Sequence, residues 1–337
     1  MKKNNYFCNS FITYMDNIAN TSPSLTPPRR RGTGSCRLEW LDAMRGFTMI
    51  LVVAYHVMTR SFYVKADASS SMMLLLLFRM PLFFFISGFL SYRSHATWDG
   101  HEFSIMLGKK FRIQIIPTII FFFVAGVLMA GHDKWWYIQT MFHQSTKGGY
   151  WFCLVLLYMY VVYYVFEYIV HRFQFTNHMP PPSPPVGEGL VPLQRGEVRG
   201  RLITLPILTL WLISLCVAAT CYMPSVFPYA LTDNHPLNHG WLADTSIIQL
   251  MQFFHFFLFG NIVHRCWGTV EKVFEKRGFI LAIIIVAFVS SIDYLKLHLL
   301  PGDFNVISKL LAMYSLMILV FLFFRYYQES FTKQKRI

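Results

Sequence analysis

Windows of about 20 residues with almost no charge recur along this chain, and that length is what a helix needs to cross the hydrocarbon core of a bilayer. The windows lie at roughly 40–59, 72–92, 113–130, 150–170, 202–222, 246–263, 279–297 and 306–325. Composition agrees with them, since 55% of the 337 residues are hydrophobic and only 14% are charged. The pattern predicts an all-α, polytopic integral membrane helix bundle with eight visible transmembrane helices.

The basic residues predict how these helices are oriented. Most of the 30 Lys and Arg residues fall in the first tail, in the regions 93–112, 171–201 and 264–278, and from residue 325 onward. On the other side are only Arg60, Lys65, Lys134, Lys147, Lys296 and Lys309. Because cytoplasmic loops carry the excess of Lys and Arg, we expect both termini in the cytoplasm. Basic clusters between apolar windows also account for the net charge of +13 without a nucleic-acid partner.

Two polar stretches interrupt the apolar pattern. Residues 1–36, which include SPSLTPPRRRG, predict a disordered cytoplasmic tail. A second stretch, MPPPSPPVGEGLVPLQRGEVRG, predicts a Pro/Gly-rich cytoplasmic linker at about 174–201 within a membrane domain spanning 37–330. The six cysteines form no C-x-x-C pair, so we expect neither a disulfide framework nor a metal site.

The first window contains three ionisable residues that are costly to place in hydrocarbon. In a helix, Arg45 and His56 return to within about 20° of the same face at a separation of about 16 Å. Asp42 lies three residues before Arg45, close enough for an ion pair. The spacing predicts one polar stripe from the cytoplasmic end of the helix to its outer half. In the alternative reading, Asp42 and Arg45 pair at the membrane edge and His56 hydrogen-bonds a neighbouring helix.

The second and third windows add further polar candidates. In MMLLLLFRMPLFFFISGFLSY, Arg79 lies at a depth similar to that of His56, and Ser87 with the following glycine lets another backbone approach closely. At the start of the third window, Lys110 and Arg112 stand at the cytoplasmic interface. They would hold a phosphorylated donor, or satisfy the positive-inside rule with no ligand.

The sixth window, SIIQLMQFFHFFLFGNIVHR, carries Gln249, Gln252 and His255. Gln252 and His255 are spaced to share a helix face. These residues would either line the path of a hydroxyl-rich acceptor or join helices through hydrogen bonds.

Taken together, these stretches resemble a family of bacterial membrane O-acyltransferases called acyltransferase 3. The resemblance begins at RLEWLDAMRGFTMILVVAYHV, which has an L-D-x-x-R-G start and an arginine followed after ten residues by a histidine, here Arg45 and His56. It continues through MPLFFFISGFL, the basic block ending in Arg112, YWFCLVLLY and FFHFFLFGNIV, over about residues 37–264. The chain departs from the family in one respect, because members commonly have about ten spans and eight windows are visible.

The resemblance implies an O-acyltransferase, expected to be an O-acetyltransferase, in the bacterial cell inner (cytoplasmic) membrane. Its donor would be cytoplasmic acyl-CoA, with acetyl-CoA expected, and no cofactor would be permanently bound. Its acceptor would be a hydroxyl group of an envelope polysaccharide, lipopolysaccharide or other glycan. Membrane lipids surround the bundle, and no nucleic acid takes part.

The resemblance also implies roles for the polar residues. His56 would be the general base that takes the hydroxyl proton. Arg45, oriented by Asp42, would position the donor or stabilise charge on the thioester oxygen, and Arg79 is a second candidate for this stabilising role. The expected contacts to the donor are Lys110, Arg112 and Ser87.

Three alternatives stay open at this point. In the first, the chain is a transporter or flippase whose Arg45 and His56 stripe conducts substrate or protons. In the second, it is a catalytically inactive membrane scaffold. In the third, the reaction is an acyl transfer but passes through an acyl-histidine at His56.

Overall fold

The computed structural model describes residues 39–65, 69–93, 100–129, 133–143, 147–177, 193–223, 241–297, 299 and 302–327. The predicted tail at 1–36 lies outside these residues. Almost all of the described chain is helical, and no strand occurs within it.

Twelve α-helices follow one another in the described residues. They are α1 (Glu39–His56), α2 (Ser70–Phe89), α3 (Gly100–Lys110), α4 (Ile116–Met129), α5 (Lys134–His143), α6 (Trp151–Asn177), α7 (Leu193–Tyr222), α8 (Trp241–Thr245), α9 (Ile247–Arg265), α10 (Trp267–Phe274), α11 (Arg277–Ile292) and α12 (Asn305–Tyr326). Single π-helical turns extend α1, α3 and α11, over Val57–Ser61, Phe111–Ile115 and Asp293–Leu297. Short 3-10 turns occupy Lys147–Gly149 and Gly302–Phe304.

Eight helical stretches in the described chain are long and apolar enough to cross a membrane. They are Trp40–Thr59, Ser70–Phe89, Gly100–Leu128, Trp151–Phe173, Leu205–Tyr222, Ile247–Arg265, Arg277–Leu297 and Gly302–Tyr326. Each overlaps one of the eight predicted windows, which confirms the all-α polytopic bundle. Of the predicted linker at about 174–201, residues 178–192 lie outside the described chain, while the remainder belongs to the end of α6 and the start of α7.

Aromatic contacts show which helix ends lie together. Near the start of α1, Trp40 makes edge contacts with Phe89 at the end of α2 and with Phe321 close to the end of α12. These three helix ends therefore share one face of the bundle, here called the near face. From there α1 runs to the opposite face of the bundle and ends at His56. This opposite face is called the far face.

The centre of the bundle is a close crossing of α2 and α9. A Cβ added at Gly88 would overlap the carbonyl oxygen of Phe257, and one added at Gly260 would overlap the carbonyl oxygen of Phe85. Only glycine lets the two backbones approach this closely. The Ser87-Gly88 pair in the sequence predicts such an approach. The crossing fixes the relative position of two helices that both carry site residues.

The turn between α11 and α12 is held by a buried carboxylate. Asp293 accepts a hydrogen bond from the backbone N–H of Leu299 at 2.7 Å and another from the hydroxyl of Ser308. Because Ser308 belongs to the first turn of α12, this carboxylate fixes the start of that helix.

Candidate functional site

A cavity of about 600 Å³ lies between α1, α2, α9 and α12, toward the far face. Along each helix the lining residues recur about once per turn, some as adjacent pairs, so one face of each helix points inward. The lining residues are Val52, Tyr55, His56 and Thr59 from α1 and its π turn, Met73, Leu76, Leu77, Arg79 and Met80 from α2, Gln249, Gln252 and Phe253 from α9, and Lys309 and Met313 from α12, with Gly149, Trp151, Phe152, Tyr222 and Tyr294. An apolar cavity with a few convergent polar groups is typical of small-molecule sites.

His56 reaches the cavity as the last residue of α1. Gly149 packs against its imidazole, since a Cβ added there would lie 3.3 Å from Cε1 and 3.5 Å from Nε2 of His56. Gly149 has a φ of +106°, which residues with a side chain adopt only with strain. The same turn is anchored by Lys147, whose ammonium donates to the carbonyl oxygen of Phe142 at 2.7 Å and whose pKa is lowered by burial. Backbone atoms therefore cover one side of the imidazole.

Arg79 lines the same cavity and is 9% exposed. Its guanidinium carbon lies 3.6 Å from the centroid of the Tyr55 ring, a cation–π contact that holds the planar group in place. Among the described residues, no acceptor lies within hydrogen-bonding range of its buried Nε and Nη1 atoms. The structure thus brings together His56 and Arg79, whose similar depth the sequence predicted.

Lys309 is a cavity residue that the sequence analysis missed. The charge distribution predicts a position outside the membrane for Lys309, yet Lys309 belongs to α12 and lines the cavity. Its ammonium nitrogen lies 4.0 Å from the centroid of the Tyr222 ring, and the Tyr222 hydroxyl donates to the carbonyl oxygen of Gln252 at 3.2 Å. The signal that would have found it is its position inside the predicted window at 306–325.

Other predicted site residues lie away from the cavity, toward the near face. Asp42 and Arg45 form the predicted ion pair, with 3.7 Å between the carboxylate and guanidinium atoms. The ammonium nitrogen of Lys110 lies 4.0 Å from the centroid of the Tyr160 ring, within electrostatic range of Arg45 and Arg93. Arg45, Arg93, Lys110 and Tyr160 are called here the near-face group.

Of the other two expected donor contacts, Ser87 lies beside the near-face group and Arg112 is exposed. The carbonyl oxygen of Ser87 accepts from the Tyr160 hydroxyl at 3.4 Å, so Ser87 adjoins the near-face group. Its own hydroxyl donates within α2, to the carbonyl oxygen of Phe83 at 2.9 Å. Arg112 follows Lys110 by two residues in a π turn, and its side chain is exposed. Within the described chain, no hydrogen bond or ion pair joins Arg112 to the near-face group.

The polar residues of α9 divide between the cavity and helix packing. Gln249 and Gln252 line the cavity. His255 is fully buried, and its Nδ1 lies 2.7 Å from the hydroxyl of Tyr314, which also accepts from the indole N–H of Trp211 at 3.2 Å. His255 therefore joins α9 to α12 and α7, which is the helix-joining role considered from the sequence.

A buried ion pair between α6 and α9 was not predicted. The Arg265 guanidinium contacts the carboxylate of Glu167, donates to Asn261 at 2.7 Å and donates to the Tyr163 hydroxyl at 3.3 Å. Both charged side chains are about 95% buried or more, with exposed fractions of 5% and 3%. Asn261 in turn donates to the hydroxyl of Ser91 at 3.0 Å, so the network also reaches the end of α2.

A family model described as "Acyltransferase domain", that of acyltransferase 3, matches residues 38–333. This range includes the cavity, the near-face group and all eight spans. No curated protein and no solved structure matches the chain.

Proposed function

Because the chain belongs to the acyltransferase 3 family, we propose that it moves an acyl group from acyl-CoA to a hydroxyl group of an envelope glycan. By family and fold it is a multi-pass membrane acyltransferase. The finer proposal takes acetyl-CoA as donor, a polysaccharide, lipopolysaccharide or other glycan as acceptor, and the bacterial cytoplasmic membrane as location. The observation that supports it best is the meeting of His56 and Arg79 at one cavity.

His56 is the general base of this proposal. The acceptor hydroxyl attacks the thioester carbonyl carbon while the neutral imidazole takes the hydroxyl proton. The tetrahedral intermediate then expels the CoA thiolate, which receives the proton from the imidazolium. The products are an O-acyl ester and a free CoA thiol, and His56 returns to its neutral form. A relay through an acyl-histidine would yield the same products in two steps.

Arg79 stabilises the negative charge that develops on the thioester oxygen. Its guanidinium is held on the Tyr55 ring, and its Nε and Nη1 have no acceptor among the described residues. A positioned cation in a site of low dielectric stabilises developing charge without reorganisation. We assign this role to Arg79 instead of Arg45, because Arg79 lines the cavity and Arg45 does not.

The near-face group positions the donor. Arg45, Arg93 and Lys110 supply positive charge for the CoA phosphates, and arginine can bind phosphate through two hydrogen bonds. Along α1, Arg45 and His56 are separated by about 16 Å. The pantetheine arm of CoA bridges this distance by entering the bundle from the cytoplasmic face, which we take to be the near face.

Replacing His56 by alanine tests this function. We expect His56→Ala to lower the rate of acyl transfer by about 10²- to 10⁴-fold, the usual contribution of a general base. Purified protein is assayed by release of the CoA thiol from acetyl-CoA, with envelope extract as acceptor. Glycan mass spectrometry of cells with and without the gene then identifies which glycan loses an acetyl-sized increment.

His101→Ala is the matched control, because His101 is exposed on α3 and lies outside the cavity. It should leave acyl transfer unchanged, and both variants should be inserted into the membrane at wild-type levels. Undiminished acylation by His56→Ala would contradict the proposed mechanism. An absence of thiol release from the wild-type protein with every envelope extract would contradict the function itself.

A further inference from the structure

Lys309 is a cationic group in the cavity that the proposed reaction does not use. It faces the cavity one turn before Met313, on the same side of α12. Its contact with the Tyr222 ring, at 4.0 Å, holds the ammonium group at the wall. Across the same cavity lie His56, which takes the proton, and Arg79, which meets the developing oxyanion.

The cavity is lined by the positively charged Arg79 and Lys309. None of the lining residues in the described chain is an aspartate or glutamate. Across the described ranges, no carboxylate lies within 4.0 Å of the ammonium of Lys309 or the guanidinium of Arg79. A cation held inside a membrane domain is costly unless a counter-charge accompanies it.

Arg79 and Lys309 differ in the counter-charge that each requires. The charge that Arg79 meets on the thioester oxygen exists only during the reaction. Lys309 lies on a different helix and would be left without a counter-charge by that chemistry alone. A permanent negative charge on the bound acceptor supplies one.

We propose that Lys309 selects an anionic acceptor, a sugar carrying a carboxylate or phosphate group near the hydroxyl that is acylated. The proposal rests on the proposed function, because it names the substrate class of the same cavity. Lys309 is then a specificity-determining residue, and Gln249 and Gln252 bind uncharged hydroxyl groups of the same sugar. A neutral sugar leaves the Lys309 ammonium without a counter-charge and binds more weakly.

Three sugars that share the same glucose ring test this proposal. Methyl glucoside, methyl glucuronide and methyl glucoside 6-phosphate differ only at position 6. This position is a hydroxymethyl group in the first sugar, a carboxylate in the second and a phosphorylated hydroxymethyl group in the third. Their Kd values for the full-length protein in lipid nanodiscs are measured by saturation-transfer NMR. We expect at least one anionic sugar to bind about tenfold or more tightly than the neutral one. The preference should weaken as salt is added.

The two anionic sugars separate the possible sources of the charge. Preference for the glucuronide assigns acidic sugars as acceptors, and preference for the 6-phosphate assigns sugar phosphates. Equal or tighter binding of the neutral methyl glucoside overturns the proposal.

Variants of Lys309 then test the residue. Lys309→Gln should abolish the preference, and Lys309→Arg, which keeps the charge, should retain it. Lys296→Gln is the matched control, because Lys296 is exposed in the π turn after α11 and does not line the cavity. It should bind all three sugars as the wild type does. An anion preference that survives in Lys309→Gln overturns the assignment to Lys309.

Failure of this inference can be told apart from failure of the proposed function. Binding is measured without acyl-CoA, so the anion preference can be found or refuted in a protein that shows no transferase activity. Conversely, thiol release that neutral sugars stimulate as well as anionic ones leaves the transferase function standing and overturns the anion selectivity.

Discussion

At the scale of single residues, Gly149 controls the space beside the His56 imidazole. Its φ of +106° strains any residue with a side chain, and an added Cβ would lie 3.3 Å from Cε1 of His56, so the imidazole would have to shift by a few tenths of an ångström. We expect Gly149→Ala to displace the imidazole and to lower kcat for acyl transfer by about tenfold or more, since small misplacements of a catalytic group are costly. The measurement is thiol release from acetyl-CoA by the purified variant.

Gly302→Ala is the control for backbone strain alone. Gly302 also has a positive φ, of +58°, but a Cβ there would meet no atom within 4 Å. Its alanine variant should keep wild-type kcat with a small loss of thermal stability. Equal losses of kcat in both variants would show that strain, and not contact with His56, explains the effect.

Arg79 offers a second prediction at this scale. Arg79→Gln should lower kcat by about 10²- to 10³-fold with little change in KM, because a group that stabilises only the transition state affects kcat. Arg79→Lys keeps the charge but loses the planar contact with Tyr55, so it should recover only part of the rate. Kinetics of thiol release with saturating donor provide both constants.

Arg277→Gln serves as the comparison, since Arg277 is exposed at the start of α11. It should leave both constants at wild-type values. A rise in KM with unchanged kcat in Arg79→Gln would instead indicate that Arg79 contributes to ground-state binding.

At the scale of helices, the α2 and α9 crossing depends on two glycines. A Cβ added at Gly260 would overlap the carbonyl oxygen of Phe85 and lie 2.8 Å from the amide nitrogen of Phe89. These atoms belong to a helix backbone and cannot move aside alone. We expect Gly260→Ala to separate the helices and to abolish accumulation of folded protein, measured by size-exclusion chromatography in detergent.

Gly268→Ala is the matched control, because Gly268 lies in α10 and an added Cβ there meets nothing within 4 Å. That variant should be as stable as the wild type or slightly more so, since alanine favours helix over glycine by about 1 kcal/mol. Normal folding of Gly260→Ala would mean that the crossing is wider than described.

The Glu167 and Arg265 ion pair predicts a difference between single and double substitutions. Glu167→Met leaves the Arg265 charge buried without its carboxylate, which typically costs about 3–5 kcal/mol. The double variant Glu167→Met with Arg265→Met should be less destabilised than either single variant. Thermal unfolding of the purified variants in nanodiscs compares them. Additive losses of stability would show that the pair is not coupled.

The helices themselves were largely predictable from the sequence, and the side-chain network was not. Apolar length is a local property, so all eight windows correspond to observed spans. The placement of His56 and Arg79 inside the bundle was predictable because an ionisable residue within a membrane span is itself a signal. Glu167 and Arg265 are 98 residues apart, and no helical spacing rule links residues at that separation. The contact of Gly149 with His56 likewise exists only after the chain has folded.

At the scale of the whole molecule, the eight spans found in the described residues predict that the two termini lie on the same side of the membrane. The distribution of Lys and Arg predicts that this side is the cytoplasm. Alkaline phosphatase, which is active only outside the cytoplasm, should therefore be inactive when fused after residue 337 and active when fused after Tyr63. The readout is phosphatase activity of intact cells. Activity of the fusion after residue 337 would contradict this orientation.

Two separate groups of polar residues are arranged along α1 in this molecule. Arg45 belongs to the near-face group and His56 to the cavity, so in the proposed function one helix joins the donor site to the acceptor site. In the proposed function the reaction is therefore directional, because a cytoplasmic thioester would acylate a sugar bound at the other face.

The glycine crossing of α2 and α9 also bears on how the sequence of this protein can change over time. Because each glycine faces a backbone carbonyl of the opposite helix, enlarging one position cannot be compensated by trimming a side chain elsewhere. Positions 88 and 260 should therefore tolerate no substitution in a saturation mutagenesis screen, whereas most lipid-facing positions accept many apolar residues. The cavity can then diversify through Lys309 and its neighbours while the crossing of α2 and α9 stays fixed.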